Sequence, residues 1–205
     1  NLDRGDMYPV DSYRMPAEFE RHAGTWLLWP IRPDNWRDKA KPAQASVVQL
    51  AEAIIAFEPV FIGAKREHVS LARNALPPTC TVVPLEYDDT WIRDTGPIYV
   101  ASSDKSIVGL DWEFNSWGGL FESWALDNSV PKQILSFENR QRHPLPYVLE
   151  GGAISVNGKG QLLTTADCLL SPERNPALSR NDYETIFKNF LGARETIWLP
   201  SGLAF

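Results

Sequence analysis

Asp88, Asp89, Arg93 and Asp94 crowd into the stretch YDDTWIRDTGPIYV (87–100), with Trp91 among them and Thr95-Gly96-Pro97 as turn material. Three carboxylates and one cation this close are costly unless they are paired or hold something. Two readings are open from the spacing alone. Arg93 could satisfy one Asp while the others cap backbone N–H groups. Alternatively, a carboxylate could take a planar guanidinium through two parallel hydrogen bonds, with Trp91 flat against the cation.

Two further constellations carry polar groups beside glycine or aromatic residues. In VLEGGAISVNGKGQLLTT (148–165), Glu150 ends an apolar run and precedes Gly151-Gly152, where backbone can approach a ligand closely. The plain alternative is a strand-end turn with a solvated Glu. In GLDWEFNSWGG (109–119), Trp112, Phe114 and Trp117 alternate with Asp111, Glu113, Asn115 and Ser116. Taken alone, that segment reads as a strand with an aromatic face leading into a turn. His22, His68 and His143 read as structural or solvated, His143 in a polar loop. Cys80 reads as a small apolar residue beside a strand, and Cys168 follows Asp167, whose charge raises a thiol. Neither serves as a nucleophile.

The elements that must position these groups are short. Val47, Leu50, Ala51, Ile54 and Phe57 repeat at helical spacing, and Pro59 stops the run. Ser179 caps a second helix, with Asp182 three residues on, an apolar face of Tyr183, Ile186, Phe187 and Phe190, and Gly192 at its end. Weaker helical patterns lie at 67–74 and 128–137. Strand-type runs fall at 25–29, 59–64, 81–85, 97–101, 106–110, 146–150, 153–156, 161–165 and 196–200. Short strands alternating with helices predict an α/β or mixed α+β architecture, with a small strand-and-helix unit used more than once.

The chain has 205 residues, with 43% hydrophobic and 22% charged side chains, as in ordinary globular domains. No apolar run nears the roughly 18 residues of a membrane span, and no basic n-region precedes an apolar stretch. Two cysteines are too few for a disulfide framework, so the cytoplasm is the expected compartment. A net charge of −6 argues against nucleic acid and anionic membrane and is compatible with a small cationic ligand. Eight Trp residues are about three times ordinary usage.

These segments together resemble the agmatine deiminase family, which includes the bacterial type of peptidylarginine deiminase. The matching motifs are RMPAEFERHAGTWLLWP (14–30), DNWRDKAKPAQ (34–44), DDTWIRDTGP (88–97), DWEFNSWGG (111–119), LEGGAISVNGKGQLLTTADCLLSPERNP (149–176) and LGARETIWLP (191–200). The resemblance implies a pentein-type α/β propeller of about five strand-and-helix units, of which this chain covers the first two to three. Residues 1–205 are then one partial domain, the N-terminal half, with an extended segment over 1–13. It implies cofactor-free hydrolysis of a guanidinium, most simply agmatine to N-carbamoylputrescine, through a Cys-amidino intermediate. The nucleophilic Cys and the general acid/base His lie beyond this chain, which alone is expected to be inactive and to need the remainder of its own chain.

Asp94 and Glu150 match the two carboxylates that hold the guanidinium. Trp91 matches a pocket residue, and Asp88, Asp89, Asn115 and Trp117 are further substrate-side candidates. Arg93 is expected to be a structural ion-pair partner. No metal is implied, and a homo-oligomer stays open. Ser155 departs from the His of many relatives. The alternatives are peptidyl-arginine as substrate, or a non-catalytic guanidinium-binding or scaffold protein.

Overall fold

The computed structural model describes residues 13–202. The extended segment expected over 1–13 lies outside them up to residue 12. In chain order the first elements are β1 (Tyr13–Arg14), β2 (Thr25–Leu28), α1 (Lys41–Ile54), β3 (Val60–Ala64), α2 (Val69–Ala75), β4 (Thr81–Pro84) and α3 (Ile92–Thr95). There follow β5 (Ile98–Ser102), β6 (Ile107–Glu113), α4 (Ser116–Gly119), α5 (Val130–Phe137) and β7 (Gln141–Val148). The last are β8 (Ile154–Val156), β9 (Gln161–Thr165), α6 (Ala166–Leu169), α7 (Arg180–Leu191) and β10 (Glu195–Leu199).

Three small sheets result, in the orders β1-β5-β6-β7, β2-β3-β4 and β10-β9-β8. A parallel pair needs a crossover long enough for a helix, and the helices sit where the sheets turn parallel. Helices α1 and α2 separate the parallel strands β2, β3 and β4. An antiparallel pair β5–β6 is followed by α5 and then β7, parallel to β6. The antiparallel pair β8–β9 is likewise followed by α7 and then β10, parallel to β9. The repeated unit expected from the sequence is thus present twice, as two antiparallel strands, a helix and a parallel strand.

Apolar burial ties the units together. Val100, Leu110, Leu162, Leu169, Tyr183, Phe187 and Leu191 share one core across two sheets and α7. Trp29, Ala51, Val60, Ile62, Ala72 and Leu76 form a second between α1, α2 and β3, and Leu28, Val83, Leu85, Val130 and Ile134 a third beneath α5. Ser179 accepts from the Asp182 N–H while Asp182 accepts from the Ser179 N–H, so α7 carries the expected capping box. Gly192 closes it at φ 68°. Such a cap is worth about 1 kcal/mol.

Three local expectations are corrected. Helix α1 stops at Ile54, so Phe57 lies outside it and is 89% exposed, and Leu50 faces outward. His143 lies in β7, not in a loop. This strand begins at Gln141 and joins the β5–β6 sheet; Pro144 and Pro146 are tolerated because β7 is that sheet's edge. Among the described residues no helix is long and apolar enough to cross a membrane.

Candidate active site

The polar constellations meet because they follow the carboxyl ends of strands from different sheets. Asn35 and Trp36 follow β2; Asp88, Asp89 and Trp91 follow β4; Asn115 and Trp117 follow β6. Glu150 follows β7, and Cys168 and Arg174 follow β9. Strand carboxyl ends are where open α/β sheets place ligands.

Asp94 takes one hydrogen bond on each of its oxygens. Its Oδ2 accepts the Trp117 indole N–H at 3.0 Å, and its Oδ1 accepts the Gly152 backbone N–H at 2.9 Å. Each oxygen keeps a further lone pair, so two parallel acceptors remain for a planar cation. A Cβ at position 152 would run into Asp94 Oδ1, so any larger residue there displaces this carboxylate. Trp117 is delivered by α4, a turn in which Ser116, Trp117, Gly118 and Gly119 all have positive φ. Left-handed geometry costs about 1–2 kcal/mol at a non-glycine residue. Asn115 offsets that cost, accepting from the Gly118 N–H at 2.9 Å and donating to the Glu173 carbonyl at 2.8 Å.

Glu150 is 2% exposed. Arg174 Nε donates to its Oε1 at 2.7 Å, and the same guanidinium donates through Nη1 to the Trp117 carbonyl at 2.5 Å. Glu150 Oε2 is buried with no donor among the described residues. The Gly151-Gly152 turn lies between the two carboxylates, following Glu150 and donating its Gly152 N–H to Asp94.

Asp89 is buried and saturated. Its Oδ1 takes the Trp36 indole N–H at 2.8 Å and the Thr90 N–H at 2.8 Å. Its Oδ2 takes Asn35 Nδ2 at 2.6 Å and the Trp91 indole N–H at 3.0 Å. A carboxylate has about four lone-pair directions, so Asp89 acts on its surroundings through the two indoles. Their rings lie 5.6 Å apart, and Trp91 meets Trp117 edge-on at 6.2 Å. Trp91 is 42% exposed, leaving indole surface open. Asp88 accepts from the Ser123 hydroxyl at 2.7 Å and the Leu126 N–H at 3.1 Å, and keeps free lone pairs.

Arg93 pairs with Glu18 at the surface rather than with a neighbouring Asp. Burial pushes the Cys168 thiol up, and Glu150 adds to that; Asp167, the cause expected from sequence, is not among the contributors. His22 bridges Glu58 and the Glu18 carbonyl, while burial lowers His143. Sequence reasoning missed Asn35, Trp36, Asp127 and Arg174, although DNW and PERNP lie within quoted motifs. It also missed Arg32, which bonds Asp34 at 2.9 Å, lies over the Phe121 ring and feels Asp88 and Asp89. Among the described residues no group of His, Cys, Asp and Glu could hold a metal.

The model of the Porphyromonas-type peptidyl-arginine deiminase family matches residues 14–205. The agmatine deiminase of Stutzerimonas stutzeri (strain A1501) is 47% identical over 199 residues, covering 94% of this chain and 54% of that protein. That of Pseudomonas aeruginosa (strain LESB58) is 45% identical over 200 residues, covering 95% of this chain and 54% of that protein. The solved agmatine deiminase of Enterococcus faecalis, described as catalysing its reaction, has 40% identity and a TM-score of 0.91. It covers 94% of this chain, and this chain covers 54% of it. The fold is therefore the mixed α/β pentein arrangement of these neighbours. This chain spans about half the length of the curated relatives it matches.

Proposed function

We propose that this chain, which belongs to the Porphyromonas-type peptidyl-arginine deiminase family, is the substrate-holding part of a guanidinium hydrolase. Agmatine is the favoured substrate. The observation that carries the reading is Asp94, whose two oxygens are aimed by the Trp117 and Gly152 N–H groups. A carboxylate oriented in this way takes two parallel guanidinium N–H groups, and Glu150 Oε2 offers an acceptor for a third. Fixing the planar cation presents its carbon for attack and keeps it electron-poor.

A Cys thiolate beyond this chain attacks that carbon. Ammonia leaves with a proton from a His acting as general acid, giving an amidino thioether. Water, deprotonated by the same His, then attacks and releases the thiol. The balance is agmatine plus water to N-carbamoylputrescine plus ammonia. Asp88, with lone pairs to spare, is assigned to the far ammonium, and the open Trp91 face to the flat of the bound cation. The enzyme needs the remainder of its chain and no cofactor, and residues 1–205 form one partial domain.

A second reading, arginine within a peptide, draws on Arg32, a cation near Asp88 and Asp89 that could face a carbonyl or carboxylate. Arg32 is engaged by Asp34 and Phe121, which favours agmatine. The test is ammonia release by the intact protein from agmatine and from arginyl peptides, with Asp94→Asn alongside. Agmatine should be strongly preferred, and Asp94→Asn should lose at least about 100-fold in kcat/KM. Preference for peptides would sink the substrate assignment, and a fully active Asp94→Asn the site.

A further inference from the structure

We infer that Arg174 is the positioning residue of this site, one resident guanidinium that fixes both carboxylates at once. The inference rests on the reading of Asp94 and Glu150 as guanidinium holders. Its two bonds run in different directions. Nε reaches Glu150 Oε1 at 2.7 Å, and Nη1 reaches the Trp117 carbonyl at 2.5 Å. The Trp117 indole in turn donates to Asp94 Oδ2 at 3.0 Å. A single rigid fork thereby spans from one carboxylate, through the backbone of the left-handed turn, to the other.

The pair is enclosed, with Glu150 and Arg174 side chains 3% and 10% exposed. In such a setting the pair is ordered, and removing one partner strands the other. The second consequence concerns what is left over. Arg174 occupies Oε1 and leaves Oε2 buried without a donor. Glu150 is thus made a single-oxygen acceptor, while Asp94 keeps two. The charges also balance: two carboxylates and one resident cation leave one net negative charge, matched to a ligand carrying one guanidinium. Lysine cannot replace the fork, because its ammonium does not span two acceptors in fixed planar geometry.

The effect on kinetics follows. Without Arg174, a bound guanidinium itself compensates Glu150, so ground-state binding is retained. The carboxylate and the Trp117 turn lose their fixed placement, so the cation's carbon is misaligned for attack. A displacement of about 1 Å costs on the order of 100-fold. In the intact enzyme, Arg174→Gln should lower kcat about 100-fold while KM for agmatine stays within about threefold or falls. Arg174→Lys should recover only part of kcat. Arg174→Gln made in a Glu150→Gln background should cost much less than in the wild type, since the two act as one unit.

A kcat for Arg174→Gln within about threefold of wild type would overturn the inference. So would a rise in KM that accounts for the whole loss, or equal costs in both backgrounds. Circular dichroism checks that each variant is folded, and if Arg174→Gln is not, the Lys variant carries the same kcat-against-KM comparison. Wild-type kcat/KM in both Asp94→Asn and Glu150→Gln would instead bring down the carboxylate reading. Loss in those two variants with an unaffected Arg174→Gln would bring down this inference alone.

Discussion

Asp127 offers a sharp test of how the site loop is held, because it is a buried carboxylate without a cationic partner among the described residues. It is 3% exposed, and its Oδ1 accepts the Asp88 and Asp89 N–H groups at 2.7 and 3.0 Å. Burial pushes its carboxyl from 3.8 up to about 6, with the charges of Asp88 and Asp89 adding to the rise and the two N–H groups opposing it. The sign follows from proton uptake. Below about pH 4 the group is protonated in folded and unfolded chains alike, and charge costs nothing. Between about pH 4 and 6 the folded protein keeps a proton that the unfolded chain has lost, so stability falls as pH rises. Above about pH 6 the full cost is present. At 1.36 kcal/mol per pH unit it comes to about 3 kcal/mol.

Asp127→Asn keeps the accepting oxygen and removes the charge. The new amide N–H₂ adds a cost that does not depend on pH, about 1–3 kcal/mol if left unpaired. The stability of the variant minus that of the wild type is therefore the informative quantity. It should rise by about 2.4 kcal/mol between pH 4 and pH 8, mostly between pH 4 and 6. Urea unfolding of the intact protein across that range measures it; guanidinium is unsuitable as denaturant because it resembles the proposed ligand. A difference that stays flat to within about 0.5 kcal/mol from pH 4 to 8 would refute the argument.

Three other perturbations probe separate links. Gly152→Ala places a methyl group against Asp94 Oδ1, so kcat/KM for guanidinium hydrolysis should drop by about 100-fold or more, and an unchanged value would show that the Asp94 placement is unimportant. Asp88→Asn should raise KM for agmatine about tenfold and leave KM for n-butylguanidine, which lacks the far ammonium, unaltered; equal effects on both substrates would remove Asp88 from the far end of the site. Ser179→Ala deletes the capping box of α7 and should cost about 1 kcal/mol in urea unfolding with no effect on KM, whereas a KM change would tie α7 to the site.

What could be read from the sequence divides by distance along the chain. The capping box of α7 spans three residues, and its apolar face repeats at helical spacing, so both were legible. The Glu150-Gly-Gly run likewise signalled a close backbone approach within one turn. Strand β7 was partly missed because Gln141, Arg142 and His143 look polar and Pro144 and Pro146 break the pattern. The edge position that tolerates them is a property of the sheet. Phe57 was placed on the face of α1 by periodicity, but periodicity cannot say that the helix stops three residues earlier. The same limit applies to the candidate site. Asp88, Asp89, Asp94 and Glu150 were visible as charges, yet the groups that satisfy them were not. Asn35 and Trp36 reach Asp89 across 54 and 53 positions, and Asp127 reaches the same loop across 38.

This separation of charge from counter-group explains why the spacing argument around Asp94 stayed open. Four charged residues in one short loop suggested internal pairing, with Arg93 as the natural cation. Arg93 instead pairs with Glu18 at the surface, and the buried cation comes from Arg174, 24 residues beyond its carboxylate. Neutral donors do the rest: three indoles, one amide side chain, one hydroxyl and several backbone amides point at Asp88, Asp89 and Asp94. Donors of this kind orient a carboxylate without cancelling its charge. Arg174 does cancel one charge, and it does so on Glu150, the more deeply buried of the two proposed ligand carboxylates. The loop next to it is thereby left negative and pre-aimed, the condition under which a cation entering from water finds oriented acceptors and displaces little internal bonding. That arrangement is set by which strand ends meet, and no local run of residues encodes it.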